Sequence, residues 1–169
     1  MNTPTPLLSP QLISLIQKGV STIVASADTA MRPSIMRAVG STITPDGLTL
    51  TVYLARQQSR QVLLDLASTG RIAVVFSQPH SHRTVQVKAN HVRMRPMQAS
   101  DLPILQQYLS NMEDEIALVG FDAAFTRRML AYNMEDVVAV SFEAHEAFDQ
   151  TPGPMAGSRI GLPSQGQPS

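Results

Sequence analysis

The chain has 169 residues, enough for one domain with its own core and too few for two ordinary ones. Hydrophobic residues make up 43% and charged residues 15%, which excludes a disordered or supercharged chain; the absence of Cys excludes disulfide scaffolds, thiolate metal sites, iron–sulfur clusters and a Cys nucleophile. The 13 basic and 13 acidic side chains argue against nucleic acid as a partner, and with no leader-like N-terminus and no apolar run of about 18 residues the expectation is a cytoplasmic protein without a membrane span.

After a Pro/Thr-rich lead, Leu12, Ile13, Leu15 and Ile16 fall at helical spacing behind Pro10, and Gly19 stands where a helix would end. The β-rich run from Val20 to Ala27, a turn over Asp28–Pro33 and a second extended run from Ser34 to Thr44 predict a hairpin. Pro45-Asp46-Gly47 is a turn signal, followed by a strand that alternates Leu48, Leu50, Val52 and Leu54 with Thr49, Thr51 and Tyr53. Ser59 is the expected N-cap of a helix with Val62, Leu63 and Leu66 on its buried stripe, ending near Gly70. The strand Ile72–Phe76 comes next, then one long strand in which Val85, Val87 and Ala89 change parity with Val92 and Met94, as a bulge near Asn90-His91 would allow. From Ser100 the period turns helical through Leu102, Leu105, Tyr108 and Leu109, a second helix covers Ala123–Tyr132, and Val137–Phe142 is the last expected strand. From Thr151 the composition becomes that of an extended or mobile tail.

Taken together, Pro33-Ser-Ile-Met-Arg37, the hairpin at Pro45-Asp46-Gly47, Ser59-Arg60-Gln61 opening a helix with Val62-Leu63-Leu64, the strand Ile72–Phe76 and Arg83-Thr84-Val85 form an ordered set. Over residues 10–95 this order resembles the pyridoxamine 5'-phosphate oxidase-like family of flavin-binding split β-barrels. Gln61 stands where that family often has Lys, Thr84 where Gln is common, and the C-terminal Arg motif of the true oxidases has no counterpart. The resemblance implies a mainly β, α+β fold: a six-stranded antiparallel Greek-key split barrel with flanking helices. With the periodicity and composition of the remainder, the expectation is one domain over residues 1–150, with a helical segment at 99–132, and a tail at 151–169. The resemblance also implies a homodimer that binds flavin mononucleotide (FMN) at the subunit interface and acts as a flavin-dependent oxidoreductase on a small molecule.

Charge placement agrees with an anionic ligand. Only Lys18 and Lys88 are lysines, the other cations being arginines, which hold planar anions bidentately. Residues 1–95 carry ten basic and three acidic side chains, and residues 96–169 three basic and ten acidic. Ser59, Arg60 and Gln61 at a helix start would offer N–H groups, a hydroxyl and a guanidinium to the phosphate, with Arg37 completing the clamp. The resemblance assigns the ring to backbone groups and side chains around Ser34–Ala38 and Thr84–Val87, with Ala38 and Thr84 as the named contacts. No residue is assigned as an acid or base. The pair His80 and His82 reads as a surface loop, with no metal expected. His145 raises the alternative of a haem-binding or haem-handling relative, and a non-catalytic flavin-binding barrel is a further one.

Overall fold

The computed structural model describes residues 6–161, and its strands form two antiparallel sheets. The strands are β1 (Ser21–Ala27), β2 (Pro33–Arg37), β3 (Gly40–Ile43), β4 (Thr49–Ala55), β5 (Ile72–Ser77), β6 (Thr84–Ala89), β7 (Arg93–Pro96), β8 (Val137–Glu143), β9 (Glu146–Asp149) and β10 (Arg159–Ile160). The helices are α1 (Pro10–Gln17), α2 (Arg60–Thr69), α3 (Leu102–Ala117) and α4 (Ala123–Met129). One sheet runs β10-β9-β6-β5-β1-β2 and the other β3-β4-β8-β7. The α+β class holds, and in place of one six-stranded split barrel the strands form a six-stranded and a four-stranded sheet, neither of which closes on itself. Among the described residues no helix is long and apolar enough to cross a membrane.

Two expected single strands are each divided between the sheets. The run from Ser34 to Thr44 breaks at Ala38-Val39, because the Ala38 N–H donates to Thr22 O on β1 while the next N–H, of Val39, donates to Tyr53 O on β4. The long strand after residue 83 breaks at Asn90–Val92: β6 pairs with β5 and β9, whereas β7 pairs with β8. The parity change at Val92 is therefore a change of sheet, not a bulge. Val137–Phe142 is not the last strand either. The four residues of β9 and the two of β10 are too short to show a period, and β10 pairs with β9 through Arg159 and Phe148. Residues 162–169 of the expected tail lie outside the described residues.

The main core lies between the sheets. Val24, Val74, Phe76, Val85 and Val87 from the six-stranded sheet join Val52, Val140 and Phe142 from the four-stranded one, all 2% exposed or less. The opposite face of the four-stranded sheet is covered by α3, where Leu105 packs with Tyr53 and Ala139. Tyr53, expected on an open face by alternation, is thus 1% exposed. A helix that begins 49 residues later in the sequence covers it, and the period of a strand cannot announce that.

Helix α2 packs on β1 and β2. It ends at Gly70, whose φ of +67° lies in the left-handed region, and a Cβ there would stand 2.5 Å from the carbonyl O of Asn90. Gly70→Ala is expected to cost about 2 kcal/mol or more, since it adds the left-handed penalty to the displacement of a backbone carbonyl. The check is a lowered urea midpoint with an unchanged slope.

Candidate functional site

An open cavity of about 630 Å³ lies between α2 and the β7 edge of the four-stranded sheet, lined by Arg56, Arg60, Leu63, Leu64, Met94, Arg95, Pro96 and Val138. That volume is in the range of small-molecule sites. The local sequence builds it directly. β4 stops at Ala55, and the following turn is held by Asp136, whose carbonyl accepts from Arg56 N at 2.7 Å and whose carboxylate accepts from Gln57 N at 3.2 Å. The chain then enters α2, where Val62 and Leu66 point into the core. Leu63 and Leu64 are left to form an apolar wall opposite Met94 and Pro96.

Arg56 and Arg60 are exposed on the rim, and among the described residues neither lies within ion-pair distance of a carboxylate. Arg60 is also the first residue of α2, at the positive end of the helix dipole. Two unpaired guanidinium groups beside an apolar slot suit a ligand with an anionic end and a flat apolar body.

Arg95 contributes differently. Met94 and Pro96 stand opposite Val140 and Val138, which belong to the core between the sheets, so Arg95, opposite Ala139, directs its side chain to the other face. There its Nη1 and Nη2 donate to Asp101 at 2.6 and 2.8 Å, while the Tyr53 hydroxyl donates to the same carboxylate at 2.9 Å and Gln98 N at 2.8 Å. Asp101 is 3% exposed. The hydrogen bonds from Arg95 hold its carboxyl down at about 2, while burial, with the bond to this carboxylate, pushes the Tyr53 hydroxyl well above its ordinary value. The Arg95 charge is thereby neutralised, and the residue serves the cavity as wall.

Of the site residues expected from sequence, Arg60 lines the cavity. Ser59 stands beside it but does not cap the helix: its backbone (φ −105°, ψ 18°) turns the hydroxyl inward, where it is buried and, among the described residues, without a hydrogen-bond partner. Gln61 points away, donating through Nε2 to Asp65 at 2.8 Å. Ala38 is fully buried at the passage between the sheets.

Arg37 and Thr84 come together on the outer face of the six-stranded sheet. Arg37 Nη1 donates to Ser21 Oγ at 2.8 Å, Ser21 is opposite Ser77, and Ser77 Oγ lies 2.7 Å from Thr84 Oγ1. In one copy of the chain, then, the expected phosphate and ring residues occupy two places. Arg56, Met94 and Asp65 were not expected. Arg56 had a signal, a second Arg four residues before the helix start, whereas Met94 enters only through the pairing of β7 with β8.

The histidines remain apart. His80 Nδ1 lies 2.6 Å from Glu115, His82 occupies the left-handed region at φ 58°, and His145 lies 3.4 Å from Asn90. Among the described residues no group of three His, Asp or Glu side chains could hold a metal ion.

No family model and no curated protein matches the chain. Solved structures do. A protein from Lactobacillus delbrueckii provisionally named pyridoxamine 5'-phosphate oxidase is similar at 13% identity, covering 83% of this chain and 93% of that one, with a TM-score of 0.51. HupZ of Group A Streptococcus is similar at 13% identity over 89% of this chain and 99% of that one, TM-score 0.53. An F420 reductase is similar at 14% identity over 79% and 93%, TM-score 0.51. At these identities the likeness is one of fold: the chain has the fold of the pyridoxamine 5'-phosphate oxidase-like proteins.

Proposed function

We propose, for a chain with this fold, that the cavity beside α2 receives the phosphate end of flavin mononucleotide and that the protein is a flavin-dependent oxidoreductase acting on a small molecule. The observation that carries the proposal is the pair of arginines, Arg56 and Arg60, without a carboxylate partner among the described residues and placed on the rim of an apolar slot at a helix N-terminus. When bound, the flavin supplies two-electron chemistry, and the protein supplies binding, orientation and a shaped slot. The fold shared with a pyridoxamine 5'-phosphate oxidase-like protein and an F420 reductase supports the same reading.

The test is a visible absorption spectrum of the purified protein after incubation with FMN and removal of excess. Bands near roughly 370 and 450 nm that stay with the protein are the expected result, their positions being set by the cofactor. A protein that stays colourless sinks the proposal, and a single intense Soret band after expression would favour the haem reading instead.

Homodimerisation belongs to this proposal. One row of side chains crosses all six strands of the larger sheet on its outer face: Arg37, Ile23, Val75, Gln86, Phe148 and Arg159. Beside that row Ile35 is 67% exposed. A mixed apolar and polar face of this kind fits a second copy of the chain, which would bring Arg37 and Thr84 of one copy toward the cavity of the other. Light scattering is expected to give a dimer for the native protein and a monomer with weakened flavin retention for Ile35→Glu. A native monomer would refute the interface.

A further inference from the structure

Helix α2 carries a carboxylate that the cavity does not use. Asp65 is 3% exposed, sits mid-helix, and among the described residues has no basic side chain within ion-pair distance. Its bonds are to two neutral donors: Ser34 Oγ on β2 at 2.5 Å to Oδ2, and Gln61 Nε2, one turn earlier on α2, at 2.8 Å to Oδ1. A buried carboxylate without a cation is costly, and Asp is a poorer helix former than Ala. Folding alone gives no reason for it.

The attachments of α2 suggest one. Its C-terminal end is fixed by the Gly70 turn and by Thr69 Oγ1 donating to Ala27 O at 3.2 Å. Asp65 is the polar tie between the middle of the helix and β2, the strand that ends in Arg37, and it also pins the side chain next to Arg60. We infer that Asp65 is a positioning residue, which through Ser34 and Gln61 sets the N-terminal turn of α2, and with it Arg60, in the place that holds the ligand's anionic end. This rests on the proposal that the cavity takes the FMN phosphate. Gln61, expected from sequence to touch the cofactor, acts in this arrangement through Asp65.

The experiment measures FMN and riboflavin dissociation constants and melting temperatures for the native protein, Asp65→Ala, Asp65→Asn and Arg60→Ala. Asp65→Ala is expected to weaken FMN about tenfold and riboflavin little, with a melting temperature unchanged or raised, because a buried charge is removed and Ser34 and Gln61 can turn to water. Asp65→Asn can accept from Gln61 and donate to Ser34, so it should stay within about threefold of the native affinity. A melting temperature that falls in step with affinity makes Asp65 merely structural and overturns the inference. So does an unchanged FMN affinity in Asp65→Ala when Arg60→Ala has lost it. If the native protein binds neither ligand, the reading of the cavity fails first and the inference falls with it. Should Asp65→Ala not fold, Ser34→Ala cuts the same tie from the exposed side and must show the same selective loss of FMN affinity.

Discussion

Arg60→Ala is expected to weaken FMN binding by about tenfold to a hundredfold and to leave riboflavin binding nearly unchanged. A charge-assisted hydrogen bond to a phosphate contributes roughly 1.5–3 kcal/mol, and riboflavin lacks that phosphate. Because Arg60 is exposed and without a carboxylate partner among the described residues, its removal leaves no buried charge behind, so the fold should be untouched. Added salt should weaken FMN binding to the native protein more than to the variant, since a solvent-facing ion pair is screened. Fluorescence titration with the two flavins is sufficient. Equal losses for both would place Arg60 at the ring, and no loss for either would place the ligand elsewhere.

The largest effect on stability is expected at a third arginine of the cavity wall, Arg95, and it should be asymmetric. Arg95→Ala leaves the Asp101 carboxylate, 3% exposed, with only the Tyr53 hydroxyl and the Gln98 N–H as donors, whereas Asp101→Asn leaves a guanidinium whose side chain is 38% exposed and can hydrate. Arg95→Ala should therefore cost about 2–3 kcal/mol, at the low end for a broken buried pair because one partner faces solvent, and Asp101→Asn about 1–2 kcal/mol. Urea unfolding of the two variants checks the order.

The same pair sets an acid limit. The Asp101 carboxyl is lowered from 3.8 to about 2 on folding, so its contribution is fully present above about pH 4 and is lost as the pH falls through 2. The native protein should lose stability across that window, and Asp101→Asn should show a shallower loss. An identical acid profile in the two proteins would mean that the carboxylate is not held by Arg95 in solution.

Much of this architecture was legible in the sequence because it is local. The helix over Arg60–Thr69 follows from the stripe of Val62 and Leu66 and from Gly70, and the strand of Val52 and Leu54 from alternation after Pro45-Asp46-Gly47. Arg60 reached the site because a helix start is both a sequence signal and an anion site. Ser59 shows the limit: its residue type suits a cap, yet a backbone outside the extended region turns the hydroxyl into the interior. Asp65 could not be found at all, since its partner Ser34 lies 31 residues away on a strand whose register is set by β1.

By itself the sequence determined the class of the chain, the order of most of its elements and one arginine of the candidate site, through periods, turns and caps that involve residues within a few positions of one another. Only the tertiary structure decided which strands share a sheet, that the chain changes sheet at Ala38-Val39 and again at Asn90–Val92, and that Tyr53 lies beneath α3. It likewise decided that Arg95 turns from the cavity to Asp101 while Arg56 joins Arg60 on the rim. The physical reason is that strand pairing and burial depend on partners far away in the chain, and a side chain's charge acts as a ligand site or as a structural tie according to which partner it meets.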